Sequence, residues 1–71
     1  MFYKGRKMYL FAKVKKTPYE YNAEIFKVKT SEHAQHFVLV ATFKGFPRFF
    51  MLKKAIDNFA KSKNAHTVIY L

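Results

Sequence analysis

The clearest alternation of apolar and polar positions lies between Phe37 and Lys63. The segment from Gln35 to Phe43 is apolar at both odd and even positions, which is typical of a strand that lies centrally in a sheet. A corner, Lys44 to Pro47, follows it. Apolar residues then recur at helical spacing, at Phe49, Leu52, Ile56 and Phe59. This stretch therefore predicts a buried strand, a tight corner and an amphipathic helix.

The ends of the predicted helix carry their own signals. Pro47 suits the first helical turn, because a missing amide proton costs little there. Lys61 and Lys63 are predicted in the last turn, where cations complement the helix dipole, and Asn64 tolerates the left-handed conformation that often stops a helix. A competing interpretation makes 37–52 a hairpin around Gly45, with a helix that begins later. The sequence pattern leaves both interpretations open.

Strict alternation marks the first predicted strand, Met8 to Lys15. Its even positions, from Met8 to Val14, are apolar and form the natural core face. Its odd positions mix aromatic and basic side chains, at Tyr9, Phe11, Lys13 and Lys15. Two aromatic rings are unusual on a plain solvated face, so this face is a candidate for contact with a partner.

Two further strands complete the predicted sheet. Tyr19 to Thr30 has high β propensity, but its apolar positions change phase near Ile25 and Phe26, which predicts a β-bulge. His66 to Leu71 adds a strand after the helix. The predicted fold class is α+β, a single two-layer domain in the order β-β-β-α-β. A mostly antiparallel sheet of three to four strands carries the helix on one face, and its other face is left to solvent or to a partner.

The length of the chain sets the number of domains. A chain of 71 residues allows one hydrophobic core, so residues 1–71 are predicted to form one complete domain. Nine Phe and five Tyr supply apolar area to this small core. Residues 1–7 form a basic lead-in that is either flexible or paired as a short edge strand.

The charge of the chain narrows the class of partner. Fourteen Lys and Arg against four Asp and Glu give a formal net charge of +10, which favours anionic partners. All but two of these cations are lysine. Lysine binds phosphate as a point charge, whereas arginine recognises base edges through paired hydrogen bonds. The composition therefore favours contact with a nucleic-acid backbone and weak sequence specificity.

The candidate contact residues come from two basic clusters, one in the first sixteen residues and one between Lys44 and Lys63, and from the mixed face of the first strand. They are predicted to bind phosphates through cations and bases through exposed rings. The predicted nucleic-acid-binding residues are Arg6, Lys7, Tyr9, Phe11, Lys13, Lys15, Lys16, Lys44, Arg48, Lys53 and Lys54. The clusters merge only if the first strand lies near the corner or the helix. A larger platform results if Tyr19 and Tyr21, or Lys27 and Lys29, lie beside the first strand.

Two hypotheses of different classes follow. The first is a small, basic, non-enzymatic protein that binds DNA or RNA. The alternative is an accessory protein of phage or plasmid type that docks on an acidic host protein and modulates it. In that case charge would steer association, and exposed aromatics such as Tyr9, Phe11 and Phe46 would be the anchors. Pairing of sheet edges also permits a homodimer.

Several function classes are disfavoured by what the chain lacks. Without Cys there is no disulfide and no thiolate metal site. His33, His36 and His66 have too few acidic neighbours in sequence to predict a metal site, and no cofactor is expected. Two glycines and four acids disfavour a phosphate-cradling loop and paired catalytic carboxylates, so an enzyme is not expected. A small basic ribonuclease that uses His, Lys and Tyr is the enzymatic alternative.

The expected location follows from the apolar runs of the chain. No run approaches the about 20 residues that span a bilayer. The first eleven residues also lack the continuous apolar segment and cleavage site of a signal peptide. A cytoplasmic protein without membrane association is therefore predicted.

Overall fold

The computed structural model describes residues 8–31 and 34–71. The predicted order β-β-β-α-β is confirmed. The elements are β1 (Tyr9–Lys16), β2 (Tyr21–Ser31), β3 (Ala34–Phe46), α1 (Phe49–Ser62) and β4 (Thr67–Tyr70). The basic lead-in, residues 1–7, lies outside the described residues.

The four strands form one sheet in the order β3-β2-β1-β4. β1 and β2 are antiparallel, as are β2 and β3, and each pair follows directly in the chain. β4 is parallel to β1, because α1 carries the chain back across one face before β4 begins. The predicted mostly antiparallel sheet with one helix on one face is therefore confirmed.

β3 lies at the edge of this sheet, so the prediction that it lies centrally is wrong. Its apolar character on both faces has a different origin. The half of β3 nearer the corner packs towards α1 through Ala41 and Phe43, whereas the residues from Phe37 to Val40 are exposed. A run that is apolar on both faces therefore marks an uncovered strand here.

The predicted bulge lies at the predicted place, but its extra residue is on the neighbouring strand. Ile25 pairs with Ala41 and Phe26 with Leu39, which leaves Val40 as the additional residue on β3. β2 itself runs without interruption along β1. Leu39 therefore lies on the sheet face opposite α1, while Ala41 lies towards α1. Strict alternation along this strand predicts Leu39 and Ala41 on one face, and the bulge makes that prediction wrong.

The core is a thin layer between α1 and one face of the sheet. Its fully buried side chains come from β1, β2 and α1, at Leu10, Ala12, Ala23, Ile25, Leu52, Ile56 and Ala60. Phe43 and Phe59 join the layer from opposite sides, with ring centroids 5.8 Å apart in an edge-to-face arrangement. So few residues make the core that each large side chain carries much of the stability.

The corner connects β3 to α1 within two residues. β3 ends at Phe46 and α1 begins at Phe49, so the strand–corner–helix interpretation is confirmed and the hairpin alternative is wrong. Pro47 precedes the N-cap residue Arg48 rather than lying in the first turn. Gly45 has a positive φ of 82°, and its amide donates a hydrogen bond of 2.9 Å to Asn22 Oδ1. The left-handed conformation favours glycine at this position.

The end of α1 follows the prediction. Asn64 has a φ of 58°, in the left-handed region. The Ala65 amide then donates to the Ala60 carbonyl at 2.9 Å, and the His66 amide donates to the Met8 carbonyl at 2.7 Å. The stop therefore directs the chain straight into β4 beside β1.

Candidate nucleic-acid interface

The sheet face opposite α1, called the open face below, has no element packed on it among the described residues. β1 contributes its odd positions to it, as the alternation predicted. The strand register places the other members beside them. The open face consists of Tyr9, Phe11, Lys13, Lys15, Asn22, Glu24, Phe26, Val28, Phe37, Leu39, Thr42, Lys44 and Ile69.

Three phenylalanine rings from adjacent strands meet on one half of the open face. Phe11 and Phe37 are edge-to-face with centroids 5.3 Å apart, and Phe26 and Phe37 are edge-to-face at 6.5 Å. Phe37 is 63% exposed, while the other two rings are half-buried. These three residues are called the ring cluster. Phe37 is its accessible member, so it is the ring on which an unpaired base has room to stack.

A shallow groove of about 230 Å³ occupies the other half of the open face. Its cations are Lys13 and Lys15 from β1 and Lys44 from β3, all exposed. These three residues are called the lysine groove. Asn22 and Glu24 lie between them on β2. Glu24 pairs with Lys13 across the strands and offsets one of the three positive charges. The groove therefore keeps an excess of positive charge.

The ring cluster and the lysine groove meet on β1. Phe11 and Lys13 are successive residues of the same strand face, which puts their backbones about 7 Å apart. Rings and ammonium groups are thus presented side by side by one rigid strand. β1 pairs with β2 from Leu10 to Lys16 and with β4 from Tyr9 to Ala12, so the Phe11 ring lies where β1 is paired on both sides and the lysines where it is paired with β2 alone.

The predicted site residues fall into three groups. Tyr9, Phe11, Lys13, Lys15 and Lys44 lie together on the open face. Lys16, Arg48, Lys53 and Lys54 lie elsewhere, on the side of the sheet that carries α1 or on α1 itself. Arg6 and Lys7 lie outside the described residues. Of the second basic cluster, only Lys44 therefore lies with the β1 lysines on the open face.

Two of the cations on the helix side contact neighbouring groups. Lys16 lies over the Tyr21 ring, with its Nζ 5.8 Å from the ring centroid. Lys53 pairs with Asp57 at 3.4 Å and lies 5.9 Å from the centroid of the Tyr70 ring. Both contacts are exposed or partly exposed, so they hold these ammonium groups only weakly.

Phe26 and Phe37 are the site residues that the sequence patterns did not identify. The apolar pattern of its strand predicts Phe37 in the core. The phase change near Ile25 was the available signal, because regular alternation beyond Ile25 puts Phe26 on the face opposite the core. The other expected neighbours of β1 are not on the open face, since Tyr21 and Lys27 lie on the side of α1.

A second cleft, of about 350 Å³, separates α1 from β4. Its titratable side chains are Lys53, Asp57, Lys61, His66 and Tyr70. The Tyr70 hydroxyl is enclosed there without a hydrogen-bond partner, and burial together with the nearby Asp57 carboxylate raises its pKa. Within the described residues no three His, Asp or Glu side chains are grouped so that they could hold a metal ion.

Comparison with protein-family models, curated proteins and solved structures found no match. Across 8–31 and 34–71, no helix has the length and apolar character needed to cross a membrane.

Proposed function

We propose that this protein binds single-stranded nucleic acid on its open face, without catalysing a reaction. Phosphates contact the lysine groove, and bases stack on the ring cluster. The observation that supports this most directly is the placement of three Phe rings beside three lysines on one uncovered sheet face. Proteins that bind single strands combine a basic path for the backbone with aromatic platforms for the bases.

The exposure of Phe37 supports the stacking half of this proposal. A phenylalanine that is 63% exposed gains little from the core, so its ring is free to cover another apolar surface. Each base stacked on an aromatic side chain contributes about 1–3 kcal/mol to binding. Duplexes keep their base faces stacked within the helix, so the ring cluster favours single strands.

The cation content of the open face supports weak sequence specificity. The lysine groove offers point charges, which attract phosphates regardless of the base that follows. Arg48 is the one arginine among the described residues, and it lies at the start of α1 rather than on the open face. Bidentate recognition of base edges, which arginine performs best, is therefore not expected there.

Fluorescence anisotropy with labelled oligo-dT, oligo-U and a duplex of matched length tests the proposal. Single strands should bind more tightly than the duplex. The logarithm of the binding constant should fall linearly with the logarithm of salt concentration, with a slope of about −2 for three phosphate contacts on a single strand. Absence of binding to every probe at low salt would overturn the proposal.

Charge-reversal variants locate the binding surface. The pair Lys13→Glu and Lys15→Glu should abolish binding while the protein still folds, since both lysines are exposed. The matched control is Lys54→Glu with Lys61→Glu, which makes the same change in net charge on exposed positions of α1. If both double variants bind equally poorly, total charge rather than the open face determines affinity.

A second pair of variants tests the ring. Phe37→Ala should weaken single-strand binding by at least about fivefold, because one stacked base is lost. Phe50→Ala is the matched control, since Phe50 is 65% exposed but lies on α1. Equal affinity of the two variants would mean that bases do not stack on the ring cluster.

The alternative function is docking on an acidic protein. It is supported by the apolar side chains of the open face, of which Leu39 and Ile69 are exposed beside the rings. Exposed apolar side chains of this kind can pack against a partner protein as well as against a nucleic-acid base. The anisotropy titration separates the two functions, and capture of an acidic partner by wild type but not by the Lys13→Glu, Lys15→Glu variant would favour docking.

A further inference from the structure

The outer side of β3 is a long sheet edge. β3 contains 13 residues, and no strand pairs with its outer side from Gln35 onwards among the residues that the structure describes. The opposite edge, β4, contains only 4 residues. A row of unpaired main-chain amides and carbonyls on a long strand is a template for another strand.

This edge lacks the usual protection against pairing. From Gln35 to Phe43 it carries no Lys, Arg, Asp or Glu, although the chain as a whole has a net charge of +10. Natural edge strands are commonly protected by charged side chains, by proline or by bulges. Of these devices the segment has the bulge at Val40 alone.

The side chains of the edge are apolar on both faces. Phe37 and Leu39 lie on the open face, and Leu39 is 51% exposed. Val38 and Val40 are also exposed, and Val40 lies on the side of α1. A strand added along this edge would cover apolar side chains on two faces as well as main-chain groups.

We propose that this edge pairs with the same edge of a second copy of the chain, antiparallel and about a two-fold axis. An acidic partner finds no cation between Gln35 and Phe43. A second copy presents a neutral, apolar and self-complementary edge, which suits a two-fold interface.

Repulsion between two cationic chains is limited in this arrangement, because Lys27 and Lys29 on β2 are separated from their counterparts by three strand spacings, about 14 Å. Lys44 is the nearest cation of β3 to the segment. With the axis near Leu39, the two Lys44 residues of the dimer are separated by ten residues along the strand direction, about 33 Å. This separation exceeds the Debye length of about 8 Å at physiological salt.

The dimer would join two sheets into one of eight strands. The open faces then become continuous, and the Phe37 side chains of both copies lie near the centre of the joined surface. The proposal does not depend on nucleic-acid binding, since it uses only the edge of β3.

Sedimentation velocity over a range of concentrations, together with amide hydrogen exchange, tests the dimer. Wild type should approach twice the monomer mass of 8.5 kDa. Amides between Gln35 and Leu39 should become more protected as concentration rises. A protein that remains monomeric up to about 1 mM would overturn the proposal.

The variant Val38→Glu tests the position of the interface. Val38 pairs with Lys27 across β2 and β3, so the new carboxylate gains a partner within the monomer and the fold should survive. It also lowers the net charge, so loss of the dimer cannot be attributed to greater repulsion between chains. The expected result is a folded monomer of 8.5 kDa.

Matched variants complete the test. Asn58→Glu makes the same charge change at an exposed position of α1 and should leave the dimer intact. Leu39→Lys, at a second exposed edge position, should also give a monomer. A folded Val38→Glu or Leu39→Lys protein that still sediments as a dimer would overturn the proposal. These measurements use no nucleic acid, so a monomer that binds oligo-dT refutes the dimer alone.

Discussion

The Tyr70 side chain has an apolar part that is well packed and a polar part that is not. Its ring meets the Phe49 ring edge-to-face at 6.3 Å and lies beneath the Lys53 ammonium. Its hydroxyl, however, is enclosed beside the Asp57 carboxylate, which is close enough to raise its pKa but does not meet it in full hydrogen-bond geometry. An enclosed polar group of this kind costs about 1–3 kcal/mol when its hydrogen bond is not made. The ring therefore stabilises the contact between α1 and β4, whereas the hydroxyl opposes it.

Tyr70→Phe should raise the free energy of unfolding by about 1 kcal/mol, because it keeps the ring and removes the unpaired hydroxyl. Urea denaturation at neutral pH measures the change. Tyr19→Phe serves as the control, since Tyr19 is 88% exposed and should give no change. A loss of stability in Tyr70→Phe would show that the hydroxyl makes a favourable contact.

The same hydroxyl predicts a pH dependence at alkaline pH. Burial first, and the Asp57 carboxylate second, raise the pKa of Tyr70 above its ordinary value of 10.0. The unfolded chain therefore loses this proton at lower pH than the folded protein does. The folded protein holds this proton more tightly, and the stability that results is fully present below pH 10.0. It is lost as pH rises through the pKa of Tyr70 in the folded protein.

The comparison of wild type with Tyr70→Phe isolates this contribution. The stability difference between the two proteins should grow in favour of Tyr70→Phe as pH rises above 10.0. Other tyrosines and the lysines titrate equally in both proteins, so they cancel. A stability difference that stays constant across this range would contradict the raised pKa.

At the scale of elements, alternation predicted the strands well and their positions in the sheet poorly. The period of apolar residues identified the core face of β1 and the buried stripe of α1, because each lies against a single partner layer. It could not place β3, because apolar residues on two faces arise in a covered central strand and also in an uncovered edge strand. Only the pairing of β4 with β1 decides between these cases.

The residues of the candidate site likewise differ in how well the sequence predicts their positions. Lys13 and Lys15 were predictable, since they follow directly from alternation within β1. Phe37 was not, because its face depends on the extra residue at Val40, which shifts the pairing of β3 with β2. A bulge leaves composition unchanged while it exchanges the two faces of the strand beyond it.

Packing between elements predicts a severe effect for one substitution in α1. Ile56 is fully buried between the helix and the sheet, so Ile56→Asp places a carboxylate in an apolar layer. The substitution should lower the free energy of unfolding by more than about 3 kcal/mol, which is most of the net stability that a core of this size supplies. Thermal unfolding followed by circular dichroism should show no cooperative transition.

Asn58→Asp is the control for that substitution. It introduces the same carboxylate two residues further along α1, at an exposed position. Its melting temperature should stay close to that of wild type. A cooperative transition of Ile56→Asp at the wild-type temperature would refute the placement of Ile56 in the core.

For the whole molecule, repulsion among the cations destabilises a folded domain that is flat and thin. The principal dimensions are 49 × 24 × 15 Å, so most cations lie near the surface and within reach of one another. Self-repulsion of a net charge of +10 opposes the compact state, and salt screens it. The melting temperature should therefore rise as sodium chloride concentration increases, because the shorter Debye length screens this repulsion.

The Lys54→Glu, Lys61→Glu protein provides the comparison for this salt effect. Its lower net charge should give a smaller rise in melting temperature on addition of salt, even though Lys61→Glu removes a cation from the negative end of the helix dipole. Identical salt dependence in both proteins would mean that repulsion does not limit stability. This measurement concerns the folded state alone and needs no ligand.

The parallel pairing of β1 with β4 has a consequence for the order in which the domain forms. β1 meets β2 through a short turn, but Ala12 pairs with Tyr70 only after β3 and α1 have been traversed. Closing so long a loop is entropically costly and slows folding relative to the local hairpins. Until it closes, one side of β1 lacks its strand partner. The slowest step in folding therefore determines how long a chain exposes the main chain of its central strand to other chains.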